Sequence, residues 1–124
     1  MATSPVVRIS KGRFAPTQYA EIHRLTEESA KPLIPAIKRL RGLLYYSAGV
    51  DPVTNTFINI SIWTDLAAAK QMDTLPEMLA ERPIMEQAGV QFDAIANYES
   101  LWVIQTTEAA SAFGSPTLFQ EEHS

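Results

Sequence analysis

The stretch Thr56-Phe57-Ile58-Asn59-Ile60-Ser61-Ile62-Trp63 decides the reading of this chain. Its period of two marks a β-strand with two different faces. Ile58, Ile60 and Ile62 make one face purely aliphatic. Phe57, Asn59, Ser61 and Trp63 make the other aromatic and hydrogen-bonding. A solvated face would carry Lys, Glu or Thr in place of a Trp in line with Asn and Ser. The pattern therefore predicts two buried environments, a packed core on one side and a lined cavity or subunit interface on the other.

Elements follow on both sides of this strand. Val6 to Lys11 reads as a first strand. Gly12 and Pro16 punctuate its exit, and Pro16 suits the first turn of a helix that carries Tyr19, Ile22, His23 and Thr26 and runs to about Ser29. Pro32 and Pro35 are expected to break or kink it, before Leu33, Ile34, Ile37 and Leu40 restore an apolar stripe and Gly42 caps the end. Leu43 to Val50 is a second strand, joined to the third by a hairpin loop of about four or five residues opening at Asp51-Pro52. Asp65 is placed to cap a helix containing Leu66 to Ala69 and Met72, and Thr74-Leu75-Pro76-Glu77 has the spacing of a capping box. Arg82-Pro83 is expected to interrupt that second helical region, Gly89 to end it, and Tyr98 to Ile104 to form the last strand after an irregular stretch.

The order βα, ββ, αβ predicts an α+β, ferredoxin-like sandwich over residues 5–104, a four-stranded antiparallel sheet with helices on one face. Residues 105–124 form a C-terminal tail whose Phe113, Leu118 and Phe119 fit either docking on a partner subunit or disorder. The uncovered sheet face is expected to show Arg8 and Ser10 from strand one, Phe57, Asn59, Ser61 and Trp63 from strand three, and Tyr98, Ser100 and Trp102 from strand four. Strand two would add Tyr45 and Ser47, with Leu44, Tyr46 and Ala48 as the alternative register. Such a face is too aromatic for water and too polar for a dry core. Face-to-face homodimerisation, enclosing a barrel-like interior, is the economical solution.

Composition limits the function classes. At 124 residues with 46% hydrophobic and 19% charged residues, the chain reads as one soluble domain. No run approaches the ~20 apolar residues of a membrane helix. The first residues lack a secretory pattern, so a cytoplasmic location is expected. The chain has no cysteine, which excludes disulfides, thiolate catalysis and Cys-ligated metals. A net charge of −4 argues against a general nucleic-acid surface, and Lys38, Arg39 and Arg41 suit a helix C-terminus instead. His23 and Glu27 fit a helix-surface pair better than a metal site. There is no credible Ser-His-Asp set and no Gly-rich phosphate loop.

The segment from about Val6 to Ile104 resembles the antibiotic biosynthesis monooxygenase-like domains of the dimeric α/β-barrel superfamily. The resemblance rests on Pro35-Ala36-Ile37 ahead of Gly42-Leu43-Leu44-Tyr45-Tyr46, on Asn59-Ile60-Ser61-Ile62-Trp63 followed by Leu66-Ala67-Ala68-Ala69, and on Asn97-Tyr98-Glu99-Ser100-Leu101-Trp102. It implies a monooxygenase that needs no cofactor, neither flavin nor metal, because the anion of a hydroxylated aromatic or quinone-like substrate itself reduces O₂. An Asn and a Trp four residues apart on the third strand are implicated there, and Asn59 and Trp63 match. Two such residues share a strand face about 13 Å apart, so neighbouring strands must supply the groups between them. Asn59 offers an amide donor and Trp63 an apolar wall with one N–H.

Arg8, Tyr45, Ser61, Tyr98, Ser100 and Trp102 are the candidate substrate-binding residues. Arg8 either holds the substrate anion or pairs with Glu99 near a strand edge, with the pairing favoured. Arg82 is a second candidate anion contact, or a solvated helix residue. Related domains degrade haem through an axial His on the second helical region, and this chain has no His between Trp63 and Ile104. Two other functions stay open. One is a non-catalytic small-molecule binder or stress-related dimer using the same cavity, and the other a structural dimer whose interior is filled by its own side chains.

Overall fold

The computed structural model describes residues 4–108. Five strands, β1 (Val6–Arg13), β2 (Leu43–Asp51), β3 (Thr56–Trp63), β4 (Gln91–Phe92) and β5 (Ala96–Glu99), form one antiparallel sheet. Helices α1 (Tyr19–Lys38), α2 (Leu66–Lys70) and α3 (Pro76–Gln87) connect and cover it. The order is β2-β3-β1, and the far edge of β1 is shared by β4 at Gly12–Arg13 and β5 at Val6–Ile9. The expected fourth strand position is thus filled in two pieces, and the ferredoxin-like α+β architecture holds.

The two faces of β3 are distinct, as its alternation requires, but the helices cover the aromatic one. Trp63 is fully buried with Val6, Leu33, Ala36, Ile37, Ala68, Ala69, Met72 and Leu75. Phe57 lies in a second cluster with Phe14, Ile22, Met85 and Val90. Arg8, Ser61 and Trp63 are therefore inside the protomer, which corrects the expectation that this face is the uncovered one. The reason is volume and polarity together. Indole and phenyl rings fill the space between sheet and helix, and Ser61 Oγ accepts the Trp63 Nε1 hydrogen bond at 2.8 Å, so the ring buries no unpaired polar atom. The uncovered face is the aliphatic one. There Ile62 lies opposite Val7 and Tyr45, Ile60 opposite Ile9 and Ser47, and Val7 opposite Tyr98.

The prolines do not break or interrupt their helices. Helix α1 passes through Pro32 and Pro35, and α3 through Pro83. All three are exposed, on the solvent side of their helices. The carbonyls they leave without an intrahelical donor can then meet water, while Leu33, Ala36, Ile37 and Met85 anchor the opposite side. Asp65 caps α2 as expected, its side chain accepting from the Ala68 N–H at 2.8 Å. The Thr74 capping box does not form: Leu75 is the N-cap of α3 without a side-chain bond, and Pro76 opens the helix. Gly42 is not the cap of α1, which ends at Lys38 with Arg39 as C-cap. Its positive φ of 79° belongs to the turn into β2, where its carbonyl accepts from the Thr64 N–H.

The hairpin loop covers residues 52–55, with Asp51 accepting from the Val53 N–H and the Thr54 hydroxyl. The last strand is shorter and earlier than expected. Strand β5 stops at Glu99, opposite Val6 where its partner β1 begins, and the last backbone bond of this pair among the described residues runs from the Ser100 N–H to the Pro5 carbonyl. Leu101, Trp102, Val103 and Ile104 are exposed beyond it. Phe113, Leu118 and Phe119 lie outside the described residues. No helix among the described residues is long and apolar enough to cross a membrane.

Candidate functional site

The inward face of β3 reads apolar, polar, polar, apolar from Phe57 to Trp63, and each residue sits in a row across the sheet. Trp63 aligns with Val6 and Leu43, Ser61 with Arg8 and Tyr46, Asn59 with Ser10 and Ala48, and Phe57 with Gly12 and Val50. The outer rows feed the two hydrophobic clusters. The two middle rows form a polar band between them. A cavity of about 40 Å³ opens on this band, lined by Arg8, Ser10, Tyr46, Asn59, Ser61, Met72, Met78 and Ile95.

Arg8 is the charged group of the band, only 6% exposed. Its Nη2 donates to Asp73 Oδ1 at 2.7 Å, from the 3-10 turn Gln71–Asp73 between α2 and α3. Nη1 is buried and has no hydrogen-bond partner among the described residues. The favoured pairing with Glu99 is corrected. Antiparallel register puts Glu99 opposite Val6, where its carboxylate accepts from the Ser4 hydroxyl. Burial pushes the Tyr46 phenol well above its ordinary range, against a smaller opposite pull from Arg8, so Tyr46 is a neutral donor in the cavity.

The structure brings together Arg8, Asn59 and Ser61 of the sequence candidates, and adds Ser10 and Tyr46. Trp63 is adjacent through Ser61 but belongs to the core and does not line the cavity. Tyr45 and Tyr98 stand on the opposite, uncovered face, and the alternative register with Tyr46 inward is the one adopted. A bulge between Leu43 and Tyr45 sets that register. Tyr98 is 55% and Trp102 79% exposed, and Ser100 and Trp102 lie past the end of β5, away from the cavity. Arg82 sits on the outer side of α3, over the Phe92 ring at 5.0 Å and paired with Glu86. His23 and Glu27 form a surface pair at 3.1 Å. Among the described residues no three His, Asp or Glu side chains converge on a metal site.

Sequence reasoning missed Asp73, Met72, Met78 and Ile95 as contributors. The available signal was Arg8 itself. A guanidinium in the middle of a strand, between Val6 and Gly12 on a core-facing edge, requires an acid. Nothing in the sequence indicates which of the 14 Asp and Glu residues supplies it.

Comparison with solved structures agrees with this geometry at the level of the chain path. A candidate antibiotic biosynthesis monooxygenase from Deinococcus radiodurans superposes with a TM-score of 0.63 at 19% identity, covering 82% of this chain and 98% of that one. A Pseudomonas aeruginosa protein matches with a TM-score of 0.61 at 21% identity, over 82% of this chain and 99% of the other. SnoaB, a cofactor-independent oxygenase from Streptomyces nogalater, matches with a TM-score of 0.55 at 15% identity, over 84% of this chain and all of its own. The fold is that of the antibiotic biosynthesis monooxygenase-like proteins. At these identities the likeness extends to the fold alone. No protein-family profile and no curated protein matches the chain in sequence.

Proposed function

We propose that the chain is a cofactor-independent monooxygenase acting on a small hydroxylated aromatic. The observation that carries the proposal is the buried Arg8 guanidinium with one unpartnered nitrogen, beside a cavity whose other polar groups are neutral. Such a group stabilises an oxyanion formed next to it. The phenol oxygen accepts from Arg8 and Tyr46, and its proton leaves to water. The resulting phenolate gives electrons to O₂, a C–O bond forms para to the hydroxyl, and the O–O bond then breaks. One oxygen atom stays as the new carbonyl and the other leaves as water. Overall, a phenol with a para C–H plus O₂ gives a quinone plus water. The Asn59 amide, which makes no side-chain hydrogen bond among the described residues, is the donor for the peroxide oxygen. SnoaB, with the same fold, is described as a cofactor-independent oxygenase, which supports the reading.

The cavity constrains the substrate. About 40 Å³ is far below the ~300–1,000 Å³ of usual ligand pockets and below the ~150 Å³ of a cavity that takes up benzene, so even a single ring requires Met72 and Met78 to move. The same small volume favours a second reading, a binder without turnover. The test is oxygen uptake with single-ring phenols under ¹⁸O₂. One ¹⁸O in a quinone product supports the monooxygenase. Saturable binding with no uptake supports the binder.

We further propose a homodimer packed through the uncovered sheet face. Val7, Ile9, Ile58, Ile60 and Ile62 form an aliphatic surface there, with Tyr45 and Tyr98 beside it. An apolar sheet face of this extent is an interaction surface by its chemistry. In this arrangement each protomer keeps its own complete cavity.

A further inference from the structure

We infer that Asp73 sets the charge of the ligand the cavity accepts, making it a site for neutral phenol or carbonyl oxygens that discriminates against carboxylates. The inference rests on the proposed ligand site at Arg8 and adds a specificity-determining residue to it. Arg8 is the cavity's charged lining residue, and Asp73 Oδ1 lies 2.7 Å from its Nη2. The pair sums to zero charge. A ligand oxygen reaching Nη1 therefore meets a strong hydrogen-bond donor whose positive potential Asp73 reduces, in a buried band where an anion loses more hydration than a neutral group does. A neutral acceptor gains the charge-assisted bond in full. A standing anion gains it too, but also faces the Asp73 carboxylate across one guanidinium.

The surroundings sharpen this. Ser10, Tyr46, Asn59 and Ser61 carry no charge, and Met72, Met78 and Ile95 are apolar. Among the described residues no second cation lines the cavity to offset Asp73. Half of the Asp73 side chain is exposed, so solvent weakens its repulsion without removing it. The location of Asp73 gives the arrangement its consequence. It stands in the turn joining α2 to α3, next to Met72, so the residue that tunes the charge is in the segment that would move to admit a ring. The cavity would thus take up its substrate with the proton still on.

Benzamide and benzoate are a matched pair of probes, each a single ring with a carbonyl oxygen, differing by one charge. Titrated into the intact protein, benzamide should bind about tenfold tighter than benzoate. Asp73→Asn should improve benzoate by about tenfold and shift benzamide by less than about threefold, reversing or erasing the preference. Asp73→Glu should keep the original order. Asp73→Ser carries the same expectation as Asp73→Asn should that variant not fold, and Arg8→Met should abolish binding of both probes. Tighter benzoate binding by the unmodified protein, an unchanged ratio in both charge-removing variants, or binding of neither probe would overturn the inference. The predicted order with no oxygen uptake by any phenol would sink the monooxygenase reading alone. Oxygen uptake with the opposite order would sink this inference alone.

Discussion

Arg8 and Asp73 meet at 2.7 Å, yet the two ends of this ion pair live in different solvents. The Arg8 side chain is 7% exposed and the Asp73 side chain 50%. Removing either partner therefore has unequal effects. Asp73→Asn strands a buried guanidinium, whereas Arg8→Met leaves a carboxylate that water can reach. We expect Asp73→Asn to lower the thermal midpoint more than Arg8→Met does, read by calorimetry at neutral pH. Arg8→Lys keeps the charge but loses the fork that serves Asp73 and a ligand together, so it should reduce kcat/KM on any confirmed substrate by at least tenfold.

Ser61 and Trp63 make a second prediction. Ser61→Ala leaves the buried Trp63 N–H without its acceptor and should destabilise the fold by about 1–3 kcal/mol. Trp63→Ala empties the core beneath α1 and should cost about 3–5 kcal/mol. Denaturant unfolding separates these from a role in chemistry. A Trp63→Phe protein that folds well should keep most of its ligand affinity, because the indole lies outside the cavity lining.

The turn after α3 depends on Gly89. Its φ is 111°, and a Cβ there would fall on the Gln18 side chain. Gln18 Oε1 itself accepts from the Ala15 N–H, holding the entry to α1. Gly89→Ala should thus lower stability twice over, through backbone strain and a displaced Gln18, by more than about 1 kcal/mol in urea unfolding.

Acid should weaken the fold through Asp51 and Asp65. The Thr54 hydroxyl and the Val53 N–H hold the Asp51 carboxyl below its ordinary value of 3.8, and the Ala68 N–H does the same for Asp65. A lowered folded pKa means the stabilisation is present above the ordinary value and disappears as pH falls through the folded one. The thermal midpoint should fall as pH drops below about 4, and less steeply in Asp65→Asn.

The uncovered face gives the last prediction. Ile60→Lys places a charge in the middle of the aliphatic surface, flanked by Ile9 and Ser47 in the register. The unmodified protein should run as a dimer in light scattering and Ile60→Lys as a folded monomer, since Ile60 supports neither helix cluster.

The period-two alternation of β3 was legible because it is local, and so were the Asp65 cap, the hairpin and the order of elements. Which side of β3 the helices would cover was not, because both faces are apolar enough to be buried. The rings of Phe57 and Trp63 each enter a helix-covered cluster, and Ser61 pairs the indole N–H there. Tyr45 and Tyr46 could not be told apart for a related reason, since one bulge reverses the face. Pro32, Pro35 and Pro83 misled as helix breaks because all three lie on exposed helix faces, where water can meet the carbonyl left without a donor while the buried side holds the helix in place. Asp73 was invisible because its bond to Arg8 spans 65 residues of sequence.

The central claim is that a ligand oxygen binds at Arg8 in the polar band between the two cores. The most direct measurement is a crystal structure with a single-ring phenol bound. The account predicts the phenol oxygen within hydrogen-bonding distance of Arg8 Nη1, the ring against Met72 and Met78, and Asp73 still on Nη2. A ring seated on the uncovered Ile58, Ile60 and Ile62 face, with the Arg8 cavity unchanged, would contradict it.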